Sequence, residues 1–267
     1  MSAGGDRITA AFERAKAGGR GALVTYVMAG APDMATSEAC VRACLEAGAD
    51  VMELGFPFSD PIADGPTLQR AAERALAGGT RLRDVLALAG RLRRDFEAPI
   101  VLMGYLNPVL AFGEQRFFEE CVRSGVDGVI LPDLPPEEGD SLRAHADAAG
   151  VAIVPLLTPT SHEGRMQAAL ARAGGFAYYV SVNGVTGARA ALPEELAERL
   201  GVLRALHRLP VAVGFGISTP EQVRALIRHA DGVVVGSAIA EKMASGGIEA
   251  ARAFVGSLVG ALERGGT

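Results

Sequence analysis

Short apolar runs recur along the chain, each followed by a loop and then by a stretch with helical spacing. The runs are Leu23–Met28, Val51–Leu54, Ile100–Met103, Gly128–Leu131, Ala152–Leu156, Tyr178–Val182, Val211–Val213 and Gly232–Val235. Eight runs over 267 residues recur every ~33 residues (267/8), enough for one strand, one helix and two loops each. A weak internal echo follows the same rhythm: Ala47-Gly48-Ala49-Asp50, Ser124-Gly125-Val126-Asp127 and His229-Ala230-Asp231 each end a helix and lead into a strand. Helix starts carry their own signals, with Ser218-Thr219-Pro220-Glu221 offering a cap with Pro at the first helical position and Leu192-Pro193-Glu194-Glu195 opening with early acids. Nearly continuous apolar strands alternating with helices imply a parallel sheet covered on both faces. No Ser- or Pro-rich linker divides the chain, so residues 1–267 are expected to form one α/β domain. Eight units in one domain mean a single-domain (β/α)8 TIM barrel, with Asp6–Lys16 as an extra N-terminal amphipathic helix capping its bottom. A doubly wound open sheet is the competing arrangement, because alternation alone does not report closure.

Composition narrows the class. Hydrophobic residues make up 49% of the chain and the formal net charge is −5, with no Lys/Arg cluster, so neither nucleic acid nor an anionic membrane surface is an expected partner. The amino terminus has no apolar signal core, and the longest apolar stretch, Ala98–Phe112, is broken by Asn107 and Pro108. A cytoplasmic protein without a membrane span is expected. Cys40, Cys44 and Cys121 read as buried free thiols, and no His or Cys cluster of metal-ligand spacing accompanies them. His145, His162, His207 and His229 are scattered and read as surface residues.

The densest chemistry lies in Met52-Glu-Leu-Gly-Phe-Pro-Phe-Ser-Asp-Pro-Ile-Ala-Asp-Gly-Pro66. Side chains alternate along a strand, so Val51 and Glu53 face one way and Met52 and Leu54 the other, which puts a carboxyl on a buried face. Burial raises its pKa and lets it hold or accept a proton near neutrality. Asp64 lies eleven positions on (64 − 53), near enough to fold back over the same strand end. Pro57, Pro61 and Pro66, with Gly55 and Gly65, keep the intervening loop from becoming helix and limit its freedom. The plainer reading is a solvated acidic turn.

In a barrel, the loops after the strands build the site, and phosphate is often held after the last two strands. Gly214-Phe-Gly-Ile-Ser218 and Gly236-Ser237 occupy those positions, and Gly184-Val-Thr-Gly187 follows the sixth strand. Glycines let backbone amides approach a phosphate, and the amides opening a following helix point at it. A dinucleotide fingerprint is not present at Gly214-Phe-Gly216, because the third glycine is missing.

Taken together, Met52–Pro66, Tyr178…Gly184-Val-Thr-Gly187, Val213-Gly-Phe-Gly-Ile-Ser218 and Gly236-Ser-Ala-Ile239 resemble the tryptophan synthase alpha chain family, over about Arg7 to Leu262. The resemblance implies retro-aldol cleavage of indole-3-glycerol phosphate to indole and glyceraldehyde 3-phosphate. It also implies an alpha2-beta2 complex, with indole passing to a beta chain that carries pyridoxal phosphate, and no cofactor in this chain. It makes Glu53 the acid/base and Asp64 the partner of the indole ring. Tyr26, Tyr178, Thr186 and Phe215 become substrate-binding residues, and Gly187, Gly216, Gly236 and Ser237 phosphate-binding ones. Tyr178 could equally be a core aromatic. Two departures from the family pattern, Tyr26 where Phe is common and Asn183 before Gly184, leave the acids untouched. An exposed tip at Pro57, Phe58 and Asp60, with Asn107 and Pro108, is the expected beta-chain contact; Phe58 packing inward under its own loop is the alternative. A stand-alone indole-releasing lyase and a non-catalytic activating barrel are the competing functions.

Overall fold

In a computed structural model of the chain, the described residues are 3–135, 138–159, 161, 163–180, 194–214 and 216–263. Among them the strands are β1 (Ala22–Met28), β2 (Val51–Gly55), β3 (Ile100–Met103), β4 (Gly128–Ile130), β5 (Ala152–Ile153), β6 (Leu156–Leu157), β7 (Ala177–Val180), β8 (Val211–Gly214) and β9 (Gly232–Val235). The helices are α1 (Ala3–Ala17), α2 (Met34–Glu46), α3 (Pro66–Ala77), α4 (Leu82–Asp95), α5 (Leu106–Phe112), α6 (Glu114–Arg123), α7 (Asp140–Ala149), α8 (Glu163–Ala171), α9 (Glu194–Leu206), α10 (Pro220–Leu226) and α11 (Ser237–Val259). The pairings between these strands are all parallel, in the order β5-β4-β3-β2-β1-β9-β8-β7-β6.

One expected strand, Ala152–Leu156, is broken in two, and the break closes the barrel. Pro155 has no N–H to give a ladder. Just before it, Val154 donates its N–H to Val129 O on β4 at 3.0 Å; Pro155 itself accepts from Tyr178 N on β7 at 3.0 Å. The bent segment β5–β6 therefore bonds to both edges of the sheet, and the structure is a TIM barrel, not an open sheet. Strand six is Ala177–Val180; the expected residues Ser181 and Val182 lie outside the described residues. The pattern also missed that two strands are followed by two helices each, α3 and α4 after β2, α5 and α6 after β3.

Strand parity sorts the apolar residues as period-two alternation requires. Val24, Val51, Val101, Ile130, Ala212 and Val234 fill the interior, while Leu23, Met52, Leu54, Ile100, Leu102 and Val129 pack outward under the helices. The bottom of the interior is filled by α1, whose Ile8, Ala11, Phe12 and Ala15 join the inner cluster. Phe12 meets Phe176 with ring centroids 5.3 Å apart. Cys40, Cys44 and Cys121 are buried free thiols. Of the histidines expected at the surface, His145, His207 and His229 are half-buried there, and His207 Nδ1 accepts from Leu209 N at 3.0 Å. His162 lies outside the described residues.

The sequence echo has a physical basis. Each aspartate, placed one residue before its strand, clamps one residue of the neighbouring strand twice. Asp50, Asp127 and Asp231 donate their backbone N–H to the carbonyls of Leu23, Ile100 and Val211, all at 2.8 Å. Their carboxylates accept the N–H of the same three residues at 2.8, 2.8 and 3.0 Å. An arginine completes each clamp: Arg20 on Asp50, Arg93 on Asp127 and Arg204 on Asp231. These amides at the strand starts would otherwise lack partners.

Asp127 is the most buried of the three, with its side chain 7% exposed against 22% for Asp231. Asp127→Ala leaves the Ile100 amide unpaired and takes the anion from a half-buried Arg93 guanidinium that keeps only the carbonyls of Phe96, Ala98 and Gly125; it is expected to cost about 2–4 kcal/mol. Asp231→Ala, better solvated, is expected to cost about 1–2 kcal/mol. Urea unfolding of both variants checks the magnitude and the order.

Candidate active site

The first requirement of a barrel site is a reactive side chain at the carboxyl end of an inward-facing strand row. Glu53 meets it: it follows Val51 on the inner face of β2, in register with Tyr26 on β1 and Val101 on β3. The side chain is fully buried, and neither carboxyl oxygen has a hydrogen-bond partner among the described residues. Burial, reinforced by the nearby charge of Asp64, pushes its pKa up to about 8. At neutral pH Glu53 is mainly a neutral acid. The solvated-turn reading fails for this residue.

Asp64 arrives from the loop. Phe56 N bonds to Met103 O at 2.9 Å, anchoring the loop's start to β3. Tight turns follow, with Ile62 N on Asp60 O at 2.9 Å and Asp64 N on Pro61 O at 3.0 Å. The loop ends where Gln69 Nε2 holds Asp64 O at 2.9 Å and Pro66 opens α3. Burial raises the Asp64 carboxyl to about 6, opposed by the neighbouring Tyr105 hydroxyl. One acid is therefore protonated and its neighbour ionised over the pH range between those two values.

Both line one cavity of about 410 Å³ at the barrel mouth, of the size small-molecule sites have. One wall is aromatic and apolar, with Tyr26, Met103, Leu156, Tyr178 and Val180. Tyr26 is 5% exposed, and among the described residues its hydroxyl meets only the weak acceptor Met28 Sδ, at 4.0 Å. Glycines leave these rings their room: a Cβ at Gly55 would collide with the Tyr26 hydroxyl and one at Gly214 with the Tyr178 ring. Tyr178 thus has two surroundings at once, stacking toward Phe176 at 6.0 Å and facing the cavity.

The opposite end is built from Gly216, Gly236 and Ser237. Gly216 has φ +72°, a conformation that favours glycine. Ser237 is the first residue of α11, whose first helical segment runs to a break at Gly247 (φ 71°, ψ −166°), so the N-terminal amides and dipole of that segment face the cavity. No Lys, Arg or His is among the described lining residues.

Of the residues singled out from sequence, Tyr26, Glu53, Asp64, Tyr178, Gly216, Gly236 and Ser237 share this cavity. Asn183, Gly184, Thr186, Gly187 and Phe215 lie outside the described residues. The expected exposed tip is different in detail: Pro57 is buried and Phe58 half-buried, its ring 5.4 Å from that of Tyr105. Asp60 and Asn107 are exposed and Pro108 half-buried. The loop's exposed apolar residue is Ile62, at 83%. Sequence reading missed Tyr105, whose hydroxyl accepts from Ala63 N at 3.0 Å. Its position two residues past β3 was the available signal.

The raised pKa of Glu53 has a stability consequence. An unfolded carboxyl releases its proton near 4.5 and the folded one near 8. As pH rises between those values the unfolded state ionises first, so the fold loses stability with rising pH. Glu53→Gln removes that loss: it is expected to exceed wild type by about 2–4 kcal/mol at pH 8 and to converge with it toward pH 4.5. Urea unfolding across pH measures the difference.

Known proteins resemble the chain along nearly its whole length. A family model described as "Tryptophan synthase alpha chain" matches residues 12–258. The tryptophan synthase alpha chain of Citrifermentans bemidjiense is 52% identical over 87% of this chain and 87% of its own length. That of Gluconacetobacter diazotrophicus is 52% identical over 87% and 85%. Among solved structures, the tryptophan synthase alpha chain of Legionella pneumophila superposes with TM-score 0.89 at 36% identity, covering 100% of this chain and 99% of that one. A Mycobacterium tuberculosis tryptophan synthase structure gives TM-score 0.91 at 36% identity over 97% and 99%. The chain belongs to the tryptophan synthase alpha chain family.

Proposed function

We propose that the cavity binds indole-3-glycerol phosphate with its ring between Tyr26 and Tyr178 and its phosphate at Gly216, Gly236 and Ser237, and that Glu53 and Asp64 carry out the family's retro-aldol cleavage. The observation that carries this reading is the pairing of a protonated buried carboxyl with an ionised one in a single cavity. Cleavage requires that indole C3 gain a proton and that the hydroxyl on the adjacent glycerol carbon lose one. Glu53, as the acid, gives its proton to C3. Positive charge then develops on the ring, and Asp64 accepts a hydrogen bond from the indole N–H, binding the transition state more strongly than the ground state. The Glu53 carboxylate next takes the hydroxyl proton as the carbon–carbon bond breaks, leaving indole and an aldehyde. Glu53 ends protonated, as it began. No step calls on a cofactor. With no cation in the described lining, the phosphate rests on backbone amides and the α11 dipole.

A beta chain with its own pyridoxal phosphate is the proposed partner, in an alpha2-beta2 complex, with the cytoplasm as the proposed location. No described helix is long and apolar enough to cross a membrane. Ile62 and, on α5, Leu110 at 49% exposure are apolar side chains left at the surface close to the acids' loop and next to Asn107, as a docking face requires.

Glu53→Gln and Asp64→Asn are each expected to lower indole formation by about 100- to 10,000-fold while ligand binding persists. Wild-type kcat/KM should rise with Asp64 ionisation near pH 6 and fall as Glu53 deprotonates near pH 8. More than a tenth of wild-type turnover in Glu53→Gln removes that residue from the mechanism. Gly216→Val is expected to raise KM, since bulk and a disfavoured φ block the amides. For the partner, added beta chain should accelerate indole release by wild type and much less by Ile62→Asp; equal acceleration of both rejects Ile62 as part of the contact.

A further inference from the structure

We propose that a cavity at the closed end of the barrel, between α1 and the entry to β8, is a second binding site, and that it takes an α-amino acid with an apolar side chain as its zwitterion. It shares no lining residue with the cavity at the mouth and stands apart from the reading of Glu53 and Asp64.

The cavity holds about 320 Å³, at the lower end of the range for small-molecule sites. Thr9, Phe12, Glu13 and Lys16 line it from α1, and their i, i+3, i+4, i+7 spacing puts all four on one face of that helix. Opposite stands the turn of residues 207–210, which leads from α9 into β8. Buried Phe12 and Leu209 make the floor apolar.

The charged groups divide by whether they are already engaged. Arg204 Nη2 is spent on Asp231 at 2.9 Å, and Asp231 in turn holds Val211 N. That pair belongs to the strand clamp. Glu13, Lys16 and Arg208 line the same cavity, yet their side chains make no ion pair or hydrogen bond among the described residues. Two neutral side chains have a fixed sense. Thr9 Oγ1 donates to Gly175 O at 2.8 Å, so only its lone pairs are left for a ligand. His207 Nδ1 accepts from Leu209 N, which assigns the ring proton to Nε2 and makes that nitrogen a donor.

An acceptor and an anion therefore stand one turn apart on α1, at Thr9 and Glu13, while Lys16, Arg208 and His207 supply cations and a donor. Glu13 and Lys16 are separated along the helix by about 4.5 Å, which suits an ammonium and a carboxylate borne on one carbon. An apolar side chain on that carbon covers Phe12 and Leu209. A simple anion would face Glu13, and a simple cation would face Lys16 and Arg208; the zwitterion answers both signs.

The test is an amide NMR titration of the full chain with L-phenylalanine, 3-phenylpropionate, phenethylamine, glycine and inorganic phosphate. It is run on wild type, Glu13→Gln and Lys16→Gln, with thermal midpoints as the folding control. L-Phenylalanine is expected to shift the amides of α1 and of residues 207–210 and to saturate with a Kd of about 2 mM. The two single-charge analogues and glycine should each bind about tenfold more weakly. Glu13→Gln should weaken L-phenylalanine about fivefold and spare 3-phenylpropionate; Lys16→Gln should weaken it similarly and spare phenethylamine. No shift at these amides with L-phenylalanine at about 50 mM, or shifts confined to the residues of the mouth, overturns the proposal. Phosphate, 3-phenylpropionate or phenethylamine binding here as tightly as L-phenylalanine also overturns it, because the site would then read one charge alone.

Discussion

A carboxyl group with no hydrogen-bond partner among the described residues, held inside a barrel beside a second carboxyl, is the constraint around which this molecule is arranged. Left to itself such a group would take on water or move to the surface. Here it cannot move, because Glu53 sits within a five-residue strand paired on both sides. Burial keeps it neutral, and neutrality at physiological pH is what a proton donor to carbon needs. The instability that this arrangement carries is met elsewhere, in a packed inner cluster floored by α1 and in aspartate clamps at the far ends of the strands.

The two acids differ because their supports differ. Glu53 stands on a strand, with no donor among the described residues to favour its charge. Asp64 stands on a loop that closes over the mouth, partly solvated, with the Tyr105 hydroxyl close by on Ala63 N. Two carboxyls whose ordinary pKa values, 4.5 and 3.8, lie within one unit thereby divide into an acid and an anion, a division set mainly by environment. The same economy of charge governs the other end of the cavity, where helix amides face the space proposed for phosphate and no described cation does.

Much of this was legible in the chain. Period-two alternation placed Glu53 on Val51's face, and the glycine runs after the last strands fell at the cavity. Barrel closure was not legible from alternation, since it depends on Val154 and Pro155 bonding in opposite directions, a fact of three-dimensional pairing. The aspartate echo was visible, but its meaning needed the amide each carboxylate reaches on a neighbouring strand. Phe58 looked exposed because its partner, Tyr105, lies forty-seven residues away (105 − 58). A local reading of the loop cannot see that ring, and so it also missed that Ile62 is the side chain left outside.

The central claim is that Glu53 is a neutral carboxylic acid at neutral pH while Asp64 is an anion. Infrared difference spectroscopy of wild type against Glu53→Gln, followed from pH 5 to pH 9.5, addresses it without relying on turnover. The account predicts a protonated-carboxyl carbonyl band at pH 7 that is missing in Glu53→Gln and gives way to carboxylate as the pH passes about 8. A carboxylate signal from Glu53 already present at pH 6, with no protonated band at pH 7, would contradict it.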